Sequence, residues 1–294
     1  MLQAPQRTGL SGPTLIRLLT RLTDAEVQQS RQSLSDHLSQ WLGWTDAIAL
    51  SAALNTSPPV IAPGARLFSS AEERECVRVR TTLADAIASD TAATAAKRVA
   101  PVPAPAKKLA AVLAEDEFDY SSFRQRYLSL QHTMETSIGN LRSRLRGMVA
   151  ARNGEWTRLA VVDAIMDRAL LPKERALLGA IPKLLQTHFD RLRKAEEAAL
   201  AATEAQAAAE AQDLADADAA ADTAAEADCN ARADGDAAVA ALDAAPANAA
   251  APVAAITAGA WLDTFRADMR AVLLAELDVR LQPVEGLLAA LRTS

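Results

Sequence analysis

The sequence is poor in the residues on which many small binding and catalytic modules depend. Aromatic residues make up 4% of its 294 residues, and the 11 glycines are scattered singly. The two cysteines and the three histidines lie far apart, at Cys76, Cys229, His37, His132 and His188. These scarcities argue against a disulfide scaffold, a zinc module, a glycine-rich nucleotide-binding domain and an ordinary all-β fold.

Long hydrophobic runs are missing as well. No stretch of 18 or more apolar, uncharged residues offers a membrane-spanning helix. The first residues lack a basic region followed by a long apolar block, and the apolar cluster at 15–19 is interrupted by Arg17. We therefore predict no signal peptide and expect a cytoplasmic protein with reduced thiols.

Signatures of catalysis are absent too. None of the motifs G-x-S-x-G, G-x-x-x-x-G-K-[ST] and H-E-x-x-H occurs. His132 and Glu135 lie three residues apart, but a di-iron bundle requires glutamate before histidine, in two copies. Cys76 lies on an apolar stripe, which predicts a buried, unreactive thiol. We predict no enzymatic activity, no cofactor and no metal site.

Alanine and charge are what the sequence has in excess, and both are unevenly distributed. Residues 195–260 contain 34 alanines, 13 acidic residues and one arginine, whereas the rest of the chain holds 30 basic and 24 acidic residues. Within that remainder, residues 121–194 have 14 basic residues against 6 acidic ones. The formal net charge of −6 therefore hides a basic body and an acidic segment.

Apolar residues recur at helical spacing in four segments of the first 90 residues. Thr23 and Glu26 have the spacing of a capping box, which predicts the start of a helix that ends at Gly43. Ser70 and Glu73 repeat this spacing and predict the start of another helix.

The clearest periodic segment follows in the middle of the chain. Its apolar residues alternate steps of four and three and are Phe123, Tyr127, Leu130, Met134, Ile138, Leu141, Leu145 and Met148. One stripe over about seven turns predicts a long central helix. Pro172 and Pro182 each lie where a new helix is expected to begin.

The acidic segment changes character along its length. Its acidic residues are all glutamates up to Glu210 and mostly aspartates from Asp213. Because aspartate prefers caps and turns, we predict that the helix frays near 210–215 and that the chain is disordered from there to about residue 252. A strongly apolar helix is predicted to start at Trp261 and to end before Pro283, with a short last helix after it.

These patterns predict an all-α protein. It would consist of helical bundles with a long central helix, a disordered Ala/acid-rich tether and a C-terminal docking helix. The predicted segments are an N-terminal helical unit (10–90), a Pro/Ala linker (91–108), a central helical hairpin or bundle (109–212), the tether (213–258) and the C-terminal helices (259–294).

The C-terminal helix supplies the candidate partner-binding residues. An apolar helix behind a solvated tether has to be buried against its own body, a second copy or another protein. We predict that its anchors are Trp261, Phe265, Met269 and Val272. The four tryptophans lie on or beside apolar stripes, which favours core packing for Trp41, Trp44, Trp156 and Trp261.

A second candidate site is a cluster of arginines at the end of the central helix, formed by Arg142, Arg144, Arg146 and Arg152. Such a cluster suits a phosphate backbone or an anionic surface. Its simpler explanation is a solvated face near a helix C-terminus, and contact with the acidic segment is a third. No DNA-reading motif accompanies it.

Parts of the sequence resemble a known family. The stretches RTGLSGPTL (7–15), QWLGWTDA (40–47) and LAELDVRLQPVEGLL (274–288), with residues 127–145 between them, are similar to a family of uncharacterised proteobacterial proteins, a domain of unknown function. The resemblance implies a genomic setting near envelope proteins with OmpA/MotB-like domains, and it implies no activity.

The sequence thus predicts a non-enzymatic helical scaffold or adaptor. It would contact a protein partner or a second copy through apolar helix faces. The family resemblance implies that it does so as a cytoplasmic accessory of an envelope assembly. The alternative is nucleic-acid or anionic-surface binding through the arginine cluster. Membrane contact is expected only through a partner.

Overall fold

The computed structural model describes residues 14–23, 32–55, 69–96, 119–152, 154–231 and 259–293. Within these ranges the chain forms eight helices and no strand, which confirms the predicted all-α class. The helices are α1 (Thr14–Thr23), α2 (Leu34–Trp41), α3 (Trp44–Asn55), α4 (Ser70–Ala96), α5 (Tyr120–Ala150), α6 (Gly154–Leu178), α7 (Ile181–Ala231) and α8 (Ala260–Arg292). No described helix is both long enough and apolar enough to cross a membrane.

The starts of two N-terminal helices differ from the predicted ones. At α2 the capping box is formed by Ser33 and Asp36, with the Asp36 N–H donating to Ser33 Oγ at 3.2 Å. Thr23 is the last residue of α1, and Glu26 lies outside the described residues. At α4 the Glu72 carboxylate accepts a hydrogen bond from the Ser69 N–H at 2.9 Å. The pair that is formed therefore lies one residue before the predicted pair of Ser70 and Glu73. Each segment contains two pairs with this spacing, the predicted one and the one that is formed, so spacing alone does not select the helix start.

Helix α4 ends at Ala96 and α7 ends at Ala231, so both run further than predicted. Residues 91–96 of the predicted linker and 213–231 of the predicted tether are therefore helical, and the predicted fraying at 210–215 is wrong. Alanine has the highest helix propensity, and an interior aspartate costs only about 0.7 kcal/mol, so frequent alanines outweigh the aspartates. Residues 232–258 lie outside the described residues.

Two prolines lie inside helices, against prediction. Pro172 is within α6 and Pro283 is within α8, whereas Pro182 is the second residue of α7, as predicted. An interior proline removes a backbone hydrogen bond and costs about 3 kcal/mol. Next to Pro283, Leu281 and Val284 are buried, and the burial of such side chains, worth about 1.5–3 kcal/mol each, offsets that cost.

The chain divides into two compact units. One comprises residues 1–190 with 263–294, and the other comprises residues 191–262. The first unit contains α1 to α6, the start of α7 and most of α8. In the second unit the side chains of α7 from 201 to 216 are all exposed. The C-terminal helix thus belongs mainly to the same unit as the central helices.

Helix α5 is the centre of the first unit and packs against α4 and α6. Its buried stripe follows the predicted one with two exceptions, because Gln131 and Val149 are buried where Leu130 and Met148 were expected. A straight helix has 3.6 residues per turn, so a stripe drifts around it, and the partner helices decide which neighbouring residue is covered.

Candidate interaction surfaces

The predicted anchors of the C-terminal helix lie in the core of the same chain. Phe265, Met269 and Val272 are at most 2% exposed, and Trp261 is 7% exposed. The ring of Phe265 meets that of Phe189 on α7 at 5.0 Å between centroids, in an edge-to-face arrangement. Helix α8 therefore docks within its own chain, and these side chains are not available to a separate partner in this conformation.

A buried carboxylate stands at the middle of this docked helix. Glu276 is fully buried and accepts a hydrogen bond from the Tyr127 hydroxyl at 2.6 Å. The Gln131 amide nitrogen donates to both carboxylate oxygens at 2.9 and 3.0 Å and to the Leu178 carbonyl at 3.2 Å. Burial, and then the charge of Glu276, raise the pKa of the Tyr127 hydroxyl well above its usual range, so it remains a donor.

Arg280 completes this cluster and extends it to a third helix. Its guanidinium lies 2.9 Å from a carboxylate oxygen of Glu276, one turn away on α8, and 3.0 Å from Glu174 on α6. Burial raises the pKa of the Glu174 carboxyl, although Arg280 opposes the effect. We call Tyr127, Gln131, Glu174, Glu276 and Arg280 the buried polar cluster; it fixes α8 against α5 and α6.

Sequence reasoning missed the buried polar cluster. The available signals were Glu276 within the apolar run 271–277 and Gln131 beside the apolar stripe of α5. In the sequence both positions are typical of solvent-exposed residues, and only the packing of α5 against α8 buries them. A buried charge without such partners would cost several kcal/mol, and this is why the match between helices matters.

The predicted arginine cluster is occupied by carboxylates of its own chain. Arg142 lies 2.5 Å from Asp163 and 2.6 Å from Asp167, and Arg146 lies 2.8 and 2.7 Å from the same two residues. All four side chains are between 15% and 32% exposed. These pairs tie α5 to α6.

The other two arginines of that cluster also have partners. Arg144 lies 3.3 Å from Glu75 on α4, and the Arg152 guanidinium donates to the Leu291 carbonyl at 2.6 Å. A phosphate group that binds these arginines would have to displace their carboxylate partners Asp163, Asp167 and Glu75. The hypothesis of nucleic-acid or anionic-surface binding stays a prediction. The four arginines that it names all have partners within the protein.

An apolar surface that the sequence placed in the core is exposed instead. Trp44 is 83% exposed, and Ile48, one turn further along α3, is 54% exposed. The opposite side of α3 packs on α6, where Asp46 lies 3.5 Å from Arg168. Leu34 on α2 and Leu54 near the end of α3 are also exposed, at 74% and 56%. Core packing was the wrong expectation for Trp44, because α3 is apolar on both sides and only one side is covered.

The residues considered for metal or thiol chemistry do not form a reactive site within the described residues. Glu135 accepts from Arg175 Nε at 2.8 Å, and His132 is exposed. Within the described ranges, no group of three histidine, cysteine or carboxylate side chains is arranged to hold a metal ion. Burial raises the pKa of the half-buried Cys76 thiol, which makes it a poorer nucleophile.

Comparison with known proteins gives a family and nothing finer. No curated protein and no solved structure matches the chain. One family model, described as "Protein of unknown function (DUF3348)", matches residues 1–227 and 232–293. Because the match covers nearly the whole chain, the protein belongs to that family, a domain of unknown function.

Proposed function

We propose that the protein is a non-enzymatic helical scaffold or adaptor that contacts another protein through the exposed side of α3. The observation that carries the proposal is Trp44, which is 83% exposed on a helix whose other side is packed. We call Trp44 and Ile48, which lie four residues apart on α3, the α3 surface.

The chemistry of this surface suits a protein partner. Large apolar side chains exposed side by side usually mark interaction sites, and tryptophan is the residue most enriched among those that dominate binding energy. Trp44 and Ile48 lie four residues apart and so share one side of the helix, which matches a helix-in-groove or helix-pairing contact.

The rest of the unit gives this surface a rigid support. Helix α3 rests on α6, α6 on α5, and α8 is fixed against both by the buried polar cluster. A surface held on packed helices loses little conformational entropy on binding. The docked C-terminal helix therefore completes the scaffold, and α3 presents the contact.

As part of the same proposal, the adaptor works in a proteobacterial cell, as a cytoplasmic accessory of an envelope assembly. The support is the genomic setting that the family resemblance implies, near envelope proteins with OmpA/MotB-like domains. A shared genomic setting is an association, so the partner is defined here by the apolar surface that it has to cover.

The experiment compares capture by wild type and by the double variant Trp44→Ala, Ile48→Ala. Tagged proteins are used to capture partners from the native cell, with quantitative mass spectrometry, and the mass of the purified particle is measured in parallel. We expect the variant to lose a specific partner at least about 30-fold, since loss of a dominant tryptophan costs 2 kcal/mol or more.

The matched control replaces equally exposed apolar residues elsewhere. Leu177→Ala on α6 and Leu214→Ala on α7 remove side chains that are 61% and 71% exposed. Both controls should capture the same partner as wild type. If the α3 variant behaves like the controls, the proposed contact is wrong; if it changes only the particle mass, the partner is a second copy.

A further inference from the structure

A pocket of about 510 Å³ lies where the start of α5 meets the turn between α6 and α7. The turn is tight, because a Cβ at Gly179 would lie 2.7 Å from the Arg175 carbonyl oxygen. On the other side, the Tyr120 hydroxyl donates to the Pro182 carbonyl and holds the first turns of α5 and α7 together. The pocket is thus built on two packed helices, within the first unit.

The pocket carries two cations that the rest of the fold does not use. Arg124 on α5 and Lys183 on α7 both line it, and neither has an ion-pair partner among the described residues. On the same helix, Arg142, Arg144 and Arg146 are all paired with carboxylates. Most arginines of the basic stretch 121–194 therefore make contacts within the protein, whereas Arg124 and Lys183 face an open pocket.

The lining contains one carboxylate, Asp119, and it is hydrogen-bonded within its own helix start. Asp119 caps α5 and accepts from the Ser121 N–H at 3.1 Å and from its hydroxyl. These hydrogen bonds lower the pKa of Asp119, so it carries a charge, but its oxygens are turned to the helix start. The remaining polar group is the Gln186 amide, which can donate or accept.

One wall of the pocket is apolar. It is formed by the Tyr120 ring, Leu128, which is 39% exposed, and Pro182. A pocket of this volume is larger than a bare phosphate ion needs, and small-molecule sites commonly combine an apolar wall with a few polar groups that fix orientation.

We infer that this pocket binds a small oxyanion, a phosphate or a carboxylate, that carries an aromatic or aliphatic group. Arg124 and Lys183 bind the oxyanion, Gln186 adds a hydrogen bond, and the organic group lies on Tyr120 and Leu128. Arg124 is suited to the oxyanion because the guanidinium offers parallel N–H donors. This inference does not depend on the proposed α3 contact.

The test is calorimetric titration of the purified full-length protein at low ionic strength with three probes: inorganic phosphate, phenyl phosphate and benzoate. We expect saturable binding with one molecule per chain, tighter for an aryl probe than for inorganic phosphate. The stronger of phenyl phosphate and benzoate identifies which oxyanion the site takes.

Variants locate the site. Arg124→Gln and Lys183→Gln should each weaken binding about tenfold or more, because each removes a charge-assisted contact, and Leu128→Ala should weaken only the aryl probes. Lys173→Gln is the matched control, since Lys173 is an exposed cation on α6 outside the pocket lining. Because Arg124 and Lys183 are exposed, their replacement should leave the fold intact, and circular dichroism checks this.

Three outcomes would overturn the inference. The first is no saturable binding of any probe. The second is binding that survives in Arg124→Gln and Lys183→Gln or falls equally in Lys173→Gln, which places it elsewhere. The third is equal affinity for phosphate and phenyl phosphate, which removes the role of the apolar wall.

Discussion

Two clusters of opposite charges join the central helix α5 to its neighbours, and they differ in their access to water. In the buried polar cluster, Glu276 on α8 is fully buried and receives hydrogen bonds from three side chains. In the second, which we call the arginine–aspartate cluster, Asp163 on α6 pairs with Arg142 and Arg146, and its side chain is 16% exposed.

Access to water decides how much stability the fold loses when one of these charges is removed. A carboxylate that is out of contact with water needs hydrogen-bond and charge partners from the protein. Removal of such a partner leaves a buried charge uncompensated, which costs several kcal/mol. A partly exposed pair gains less from its Coulomb attraction, because water can reach it and replace a lost partner. The buried polar cluster therefore sets the register of α8, whereas the arginine–aspartate cluster reinforces a contact already made by apolar packing.

The largest effect is expected from Glu276→Gln. The change is nearly isosteric, but it removes the fully buried carboxylate beside Arg280 and leaves that guanidinium only Glu174, whose side chain is 39% exposed. It should lower the free energy of unfolding by about 3–5 kcal/mol. Chemical denaturation followed by circular dichroism measures it. The control is Glu285→Gln, whose exposed side chain pairs with Arg80 and should contribute less than about 1 kcal/mol. Equal losses in both variants would contradict the assignment of a special role to Glu276.

A smaller effect is expected from Asp163→Asn. Arg142 and Arg146 keep Asp167 as a partner, so the loss in the free energy of unfolding should be about 1–3 kcal/mol. The same denaturation experiment checks it, with Asp278→Asn as a control for an exposed carboxylate paired with Arg80. A loss as large as that of Glu276→Gln would mean that burial does not separate the two clusters.

The smallest effect concerns pH. Burial raises the pKa of the Glu174 carboxyl above its ordinary value of 4.5, so the folded chain binds this proton more tightly than the unfolded chain does. Such a group contributes stability below the unfolded pKa and loses that contribution as pH rises through the folded value. Wild type should therefore lose stability relative to Glu174→Gln as pH rises above about 4.5.

Glu135 provides the opposite sign in the same pH series. A hydrogen bond from Arg175 lowers the pKa of this carboxyl, so its contribution is present above 4.5 and is lost as pH falls through the folded value. The stability difference between wild type and Glu135→Gln should thus shrink on acidification. Parallel pH profiles for the two variants would show that the environments of Glu174 and Glu135 do not differ as described.

Most of the fold could be predicted from periodic patterns, and the failures have physical reasons. The stripe of α5 was predicted apart from Leu130 and Met148, whose places are taken by Gln131 and Val149. The prediction that Pro172 starts a helix failed because tertiary packing of a long helix tolerates the loss of one backbone hydrogen bond. Local signals describe the isolated chain, and packing adds free energy that they do not contain.

The candidate sites were harder to predict than the fold. Phe265 and its neighbours were correctly identified as residues that must be buried, but the sequence did not reveal that α8 docks on its own chain. Arg142 and Arg146 looked like a free cationic surface because Asp163 and Asp167 lie about twenty residues away on another helix. Conversely, the apolar character of Trp44 predicted burial, whereas α6 packs only against the opposite side of α3.

The helical class, the apolar stripes and the division of charge between a basic body and an acidic segment follow from the order of residues alone, because they depend on spacing and composition within single helices. The pairing of charges, the apolar side that stays exposed and the position of the pocket follow from the packing of helices against one another. Those properties depend on which helices face each other, and that is set by the summed packing of residues far apart in the chain.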